Sequence, residues 1–145
     1  MQFSIKLSVL FVALVQGVAN AAPHGPEYIV SDAEMDHWLA TTDAELTYIG
    51  KNYNSLSPRE AQDTRVVYCN RRNFNVCGGS CTVYNGGAAC LNAPGTQCLF
   101  ATRNVGFCDR SGCRGSCNQF STCGTRMDNG FCWTPGTASI TVPPS

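Results

Sequence analysis

The sequence predicts an α+β fold: short N-terminal helices packed on a disulfide-rich antiparallel β module with an internal duplication. Three observations predict it. All ten cysteines lie between Cys69 and Cys132. The two halves of that stretch repeat each other, and apolar spacing changes from helical to β-branched and aromatic near Thr64. The first half reads YCNRRNFNVCGGSC, NGGAAC and LNAPGT; the second reads FCDRSGCRGSC, DNGFC and WTPGT. Cys69, Cys77, Cys81 and Cys90 thus correspond to Cys108, Cys113, Cys117 and Cys132. Cys98 and Cys123 have no counterparts and are the expected pair joining the halves.

Residues 1–21 read as a secretory signal peptide, with Lys6, an apolar run from Leu7 to Val15, and small residues at Ala19 to Ala21. That run is too short to span a bilayer. The expectation is a secreted, extracellular protein with no membrane insertion, whose residues 22–145 form one domain, a helical segment (22–63) followed by the duplicated β module (64–145). In an oxidising compartment an even number of cysteines reads as disulfides before zinc ligands, and the cysteine region has no histidine. No metal or cofactor is expected. Ten cysteines admit roughly 945 pairings, so the connectivity stays open.

The helical segment is justified first. Ser31-Asp32-Ala33-Glu34 has the capping-box form, and Met35, Trp38 and Leu39 follow on one face. Thr42-Asp43-Ala44-Glu45 repeats the box, so a second short helix is expected, with Leu46 and Ile49 as its apolar positions and Gly50 as its stop. Pro58 suits the first turn of a brief third helix. The β module follows. Arg65 to Tyr68 and Thr82 to Tyr84 have strand composition, and Asn85-Gly86 and Asn129-Gly130 are two-residue hairpin signals. Residues 22–26 and 141–145 read as loose ends.

Charge divides along the same boundary. Residues 22–63 carry eight acids against Lys51 and Arg59, whereas residues 64–145 carry seven arginines against Asp109 and Asp128. The two segments are expected to attract each other within one molecule, with a basic face for an anionic partner as the other reading. Nucleic acid is not expected, because net charge is near zero and no recognition motif is present.

Catalytic constellations are few. His24 and His37 are the only histidines. Signal cleavage would place His24 third, but Pro23 lacks the amide hydrogen that an amino-terminal copper site needs. Asp109 and Asp128 are the only acids in the cystine module and the one conceivable glycosidase pair; Asp128 before Asn-Gly reads as a turn former. With every cysteine in a disulfide, no thiolate nucleophile remains. No catalytic residue is assigned. Arg71-Arg72 reads as solvated surface rather than a processing site, because Cys69 and Cys77 flank it.

Binding chemistry is better represented. Aromatic and short polar residues share the turns at Tyr84-Asn85-Gly86-Gly87, Asn118-Gln119-Phe120 and residues 128–133. A pyranose offers an apolar C–H face to an aromatic ring and hydroxyls to fixed polar groups, and loops already held by disulfides lose little entropy on binding. Trp133 is the expected stacking platform, with Tyr84 as its repeat-related candidate. Asn129, Asp128, Arg126 and Asn85 are the expected polar contacts. Phe131 and Trp133 flank Cys132 and read as either core or platform. The first repeat has Leu91 where the second has Trp133, so it is either a second site or inactive.

The segments VVYCNRRNFNVCGGSCTVYNGGAACLNAPGTQC and NVGFCDRSGCRGSCNQFSTCGTRMDNGFCWTPGT resemble a group of small secreted cysteine-rich proteins of mushroom-forming fungi that includes glycan-binding antiviral lectins. The resemblance runs from about Ala33 to the end. It implies an α+β fold with intramolecular disulfides and recognition of N-acetylated sugars on extracellular or cell-surface glycans. The expectation is therefore a lectin-like defence protein, monomeric or weakly associating and without a catalytic step. The rival is a secreted effector, toxin or inhibitor acting on a protein partner.

Overall fold

The computed structural model describes residues 29–53 and 63–144. The expected signal peptide, His24, the first loose end and the turn at Pro58 lie outside these residues. Among the described residues the elements are one α-helix, α1 (Asp32–Thr41), two single 3-10 turns (Phe120–Thr122 and Asp128–Gly130) and seven strands: β1 (Glu45–Gly50), β2 (Thr64–Asn73), β3 (Val76–Gly86), β4 (Ala89–Ala101), β5 (Gly106–Arg110), β6 (Arg114–Gln119) and β7 (Cys132–Val142). They form one sheet in the order β1-β3-β2-β4-β7-β5-β6. Only β1 joins its neighbour in parallel, so the sheet is mixed rather than purely antiparallel.

Helix α1 begins as expected. The Ser31 hydroxyl accepts from the Glu34 amide at 3.0 Å, and the Ser31 amide donates to the Glu34 carboxylate at 2.9 Å. Met35 and Trp38 are buried. Trp38 lies edge-on to Phe100 and Phe131, which stack on each other with centroids 3.9 Å apart. This aromatic trio joins the helix to the sheet, and it settles Phe131 as core.

The second expected helix is absent; its residues are strand β1. The Thr42 hydroxyl accepts from Ala44, two residues on, and Glu45 accepts from Ser80 on β3 instead of closing a box. Leu46, Thr47, Tyr48 and Ile49 have strand composition, and β3 offers them a line of backbone partners from Ser80 to Asn85. Those hydrogen bonds outweigh a cap worth about 1 kcal/mol.

Strand β2 lies inside the sheet between β3 and β4, and Thr64 to Cys69 are all buried. Arg65 is among them. Its guanidinium pairs with Asp32 at 3.2 Å and Asp36 at 2.8 Å, both on α1, and lies 3.6 Å over the Tyr53 ring. The acidic segment thus meets the basic one at a buried, charge-compensated contact.

Asn85-Gly86 makes no hairpin. Strand β2 lies between β3 and β4, and Asn85 sits in the sheet opposite Arg65 and Gly50. Asn129-Gly130 does form a tight turn, with φ of 66° and 86° at its two residues, as a type I′ turn requires. The chain end is also firmer than expected: Thr141 pairs with Cys90 and Gly106, and Val142 is buried.

All ten cysteines are paired: Cys69–Cys81, Cys77–Cys98, Cys90–Cys113, Cys108–Cys117 and Cys123–Cys132. The expected Cys98–Cys123 pair is not formed. Cys98 lies on β4 within reach of Cys77 on the outer half of the β2–β3 hairpin, and Cys123 closes the short segment leading into β7. Cys90–Cys113 is the bridge between the halves.

Strand order reads β3-β2-β4 outward to one side of the β4–β7 seam and β7-β5-β6 to the other. Local geometry matches across it. In each hairpin a disulfide joins directly opposed cysteines, Cys69 to Cys81 and Cys108 to Cys117. The next side chain, Asn70 or Asp109, accepts from the amide of Ser80 or Ser116 at 2.9 Å. Thr96 and Thr137 face each other at the seam, and each hydroxyl donates to the carbonyl three residues back, Ala93 at 2.9 Å and Thr134 at 2.7 Å.

Candidate functional site

The turn at residues 126–132 is built to be rigid. The Met127 amide donates to the Phe131 carbonyl at 2.8 Å, and Cys123–Cys132 ties the preceding segment to β7. Arg126 donates to the Gly130 carbonyl at 2.7 Å and stacks on Phe120. Asp128 is engaged as well: its amide donates to the Asn75 carbonyl at 2.9 Å, and its carboxylate accepts from the Asn75 amide group at 3.0 Å. Arg126 and Asp128 therefore brace the turn. Asn129 is exposed and borders a cleft of about 600 Å³ with Arg71, Asn73 and the end of α1.

The contacts of Asp128 dock the tip of the β2–β3 hairpin against this turn. Two residues, Phe74 and Asn75, join the paired Asn73 and Val76. Phe74 has φ 56° and is 90% exposed. A positive φ at the first turn position is the place for glycine in a type II′ hairpin, and an aromatic there holds a costly backbone in order to face solvent. Arg72 donates to the Phe74 carbonyl at 2.6 Å and places its guanidinium 4.4 Å from the Trp133 ring centroid.

Trp133 is 38% exposed. It stands opposite Cys98 in the sheet, next to Cys132, so two disulfides, Cys77–Cys98 and Cys123–Cys132, fix its backbone surroundings. Arg72 lies against its ring on one side. Trp133 also borders an open groove of about 350 Å³ with Phe107, Asn118, Thr125 and Pro135. This groove exists because β5 pairs with β7 only over Gly106 to Cys108, leaving residues 133–137 free of that neighbour. A smaller hollow continues it past Phe107 and Asn118 to Asp109, Ser116 and Thr137.

Tyr84 and Asn85 lie elsewhere. Three strand steps separate β3 from β7, roughly 14 Å at the usual strand spacing. Asn85 is buried, and its amide group donates to the Lys51 carbonyl at 3.4 Å. The Tyr84 hydroxyl donates to the Gly87 carbonyl at 2.7 Å. Burial raises the Tyr84 pKa, Asp63 adds to the rise and Lys51 opposes it. The candidate residues thus divide into Trp133, Asn129, Asp128 and Arg126 on one side and Tyr84 and Asn85 on the other.

Asp109 and Asp128 both have structural hydrogen bonds, to Ser116 and Asn75 respectively. His37 is exposed on α1. Among the described residues no cluster of three or more His, Cys, Asp or Glu could hold a metal ion, and no helix is long and apolar enough to cross a membrane.

Sequence reasoning missed Phe74, Val76 and Phe107 as surface-forming residues, and read Arg72 as solvated surface without placing it against Trp133. The signal for Phe74 was present in Asn73-Phe74-Asn75, a turn-forming pair around an aromatic. The roles of Arg72 and Phe107 depend on strands brought together from elsewhere in the chain. No family model matches the chain, and neither a curated protein nor a solved structure matches it.

Proposed function

We propose that this is a secreted, lectin-like glycan-binding protein without a catalytic step, and that its sugar site is the groove beside Trp133. The observation that carries the reading is the partly exposed Trp133 bordering a groove with Phe107, Asn118, Thr125 and Pro135 on a disulfide-held frame. Rings offer stacking surface to a pyranose C–H face, and Asn118 and the Thr125 hydroxyl offer hydrogen bonds to its hydroxyls. The resemblance to fungal cysteine-rich proteins adds N-acetylated sugars as the ligand class. The matched hairpins and threonine turns support a further reading, that the β module arose by duplication, with sugar binding kept in the second half.

The test is a glycan array probed with the oxidised protein lacking residues 1–21, against a reduced and alkylated control. Binding to a narrow glycan set, lost on reduction, is expected. Trp133→Ala is expected to lower affinity at least about tenfold, the scale of a central aromatic contact, with circular dichroism unchanged. A blank array from folded protein sinks the proposal.

One observation favours a second reading, a protein partner engaged by the hairpin tip. Phe74 at 90% and Val76 at 51% exposure present an apolar tip of a kind surfaces normally hide. In that case Phe74→Ala removes cell binding and free N-acetylated sugars do not compete.

A further inference from the structure

A separate cavity lies away from Trp133, between α1 and strands β1, β3 and β2. It is a cavity of about 700 Å³ bordered by Leu39, Tyr48, Ile49, Tyr53, Arg65 and Asn85. Asn85 and Arg65 face each other directly across β3 and β2, so their side chains share one face of the sheet. Both are buried, with 5% and 2% exposure. Each keeps one polar atom without a hydrogen-bond partner: the Asn85 Oδ1, an acceptor, and the Arg65 Nε–H, a donor. Elsewhere the same side chains are well satisfied, Arg65 by Asp32 and Asp36 and the Asn85 amide group by the Lys51 carbonyl. A buried donor beside a buried acceptor, both bordering one cavity, is costly unless something fills it.

We propose that this cavity binds a small uncharged molecule whose polar edge carries a donor beside an acceptor, as in a primary carboxamide or a lactam, with a flat apolar remainder. The ligand N–H donates to Asn85 Oδ1, and its carbonyl accepts from Arg65 Nε–H. Tyr48, Ile49 and Leu39 supply apolar wall for the ring. A carboxylate fits less well, because it would set an acceptor against Asn85 Oδ1, and the two cations on the wall, Arg65 and Lys51, are already paired with Asp32, Asp36 and Asp63. Gly50 keeps the wall thin opposite Asn85: it has φ 86°, and a Cβ there would collide with the Asn85 carbonyl oxygen.

This proposal is independent of the Trp133 groove. The oxidised protein is titrated with nicotinamide and, separately, with nicotinate, following the Asn85 side-chain amide and the Tyr48 ring by NMR. Saturable shifts with nicotinamide are expected, with nicotinate at least about tenfold weaker, the effect of turning one buried hydrogen bond into a repulsion. Asn85→Leu and Tyr48→Ala should each weaken nicotinamide about tenfold or more. Tyr48 is 64% exposed, so Tyr48→Ala decides the matter if Asn85→Leu fails to fold. Absence of saturable shifts, equal binding of nicotinate, or unchanged binding by Tyr48→Ala overturns the proposal and leaves the pair to water.

Discussion

The two halves of the β module share local geometry and differ in what surrounds it. β2 and β3 lie inside the sheet, whereas β6 is an edge strand whose residues are all exposed. The two seam strands themselves match in burial: with Thr96 set against Thr137, Leu91 falls at the place of Cys132, both buried, and Asn92 at the place of Trp133, both exposed. The seam strands thus bury and expose matching positions, and the halves differ in the side chain at the exposed position, Asn92 or Trp133, and in the strands outside the seam.

Removing one hairpin disulfide at a time should break the equivalence most visibly. The loops closed by Cys69–Cys81 and Cys108–Cys117 span 12 and 9 residues, so chain entropy alone gives nearly equal losses of about 3 kcal/mol. Cys69 and Cys81 are both buried, while Cys117 is exposed. Replacing the first pair by serine should cost about 1 kcal/mol or more beyond the second, since it places hydroxyls in the core. Urea unfolding of the two double variants measures the difference, and equal midpoints would show that burial does not separate the halves.

Next in size is the pair Leu91→Ala and Trp133→Ala. The first should cost about 2–4 kcal/mol as a core truncation, the second under about 1 kcal/mol as a largely surface change. Thermal unfolding checks this, and a reversed order would place Trp133 in the structural core.

Glycine substitutions test the bulge that both hairpins carry after the first cysteine. Gly79 and Gly115 both have φ 86°, and an added Cβ would strike Asn70 and Arg71 in one half and Asp109 and Arg110 in the other. Gly79→Ala and Gly115→Ala should each cost about 1–3 kcal/mol, and similar losses would sharpen the local equivalence.

The smallest effect belongs to Phe74→Gly, which relieves the positive φ and should leave stability within about 1 kcal/mol of the parent or raise it. A rise accompanied by lost partner binding would mark the tip as functional; a rise with all binding intact would mark it as tolerated strain.

Part of the candidate site was legible residue by residue. The turn at Asn129-Gly130 follows from local composition, whereas Trp133 reads as either core or platform, and its partial exposure depends on the strands around it. Tyr84 and Asn85, expected from the first hairpin, lie on β3, three strand steps from β7, and so border a separate surface. The groove partners Phe107 and Asn118 come from the β5–β6 hairpin, and their nearness to Trp133 depends on where β7 leaves β5.

By itself the sequence determined the start of α1, the strand character after Thr64, the tight turn at Asn129-Gly130 and the disulfide-rich nature of the module. Each of these rests on interactions within a few residues, or on composition alone. Tertiary structure decided that Glu45 to Gly50 form a strand, that Asn85-Gly86 runs straight, and which cysteines pair. In each case a local preference of about 1 kcal/mol met a neighbouring strand offering several backbone hydrogen bonds, or a sulfur brought close by sheet order, and the longer-range interaction prevailed.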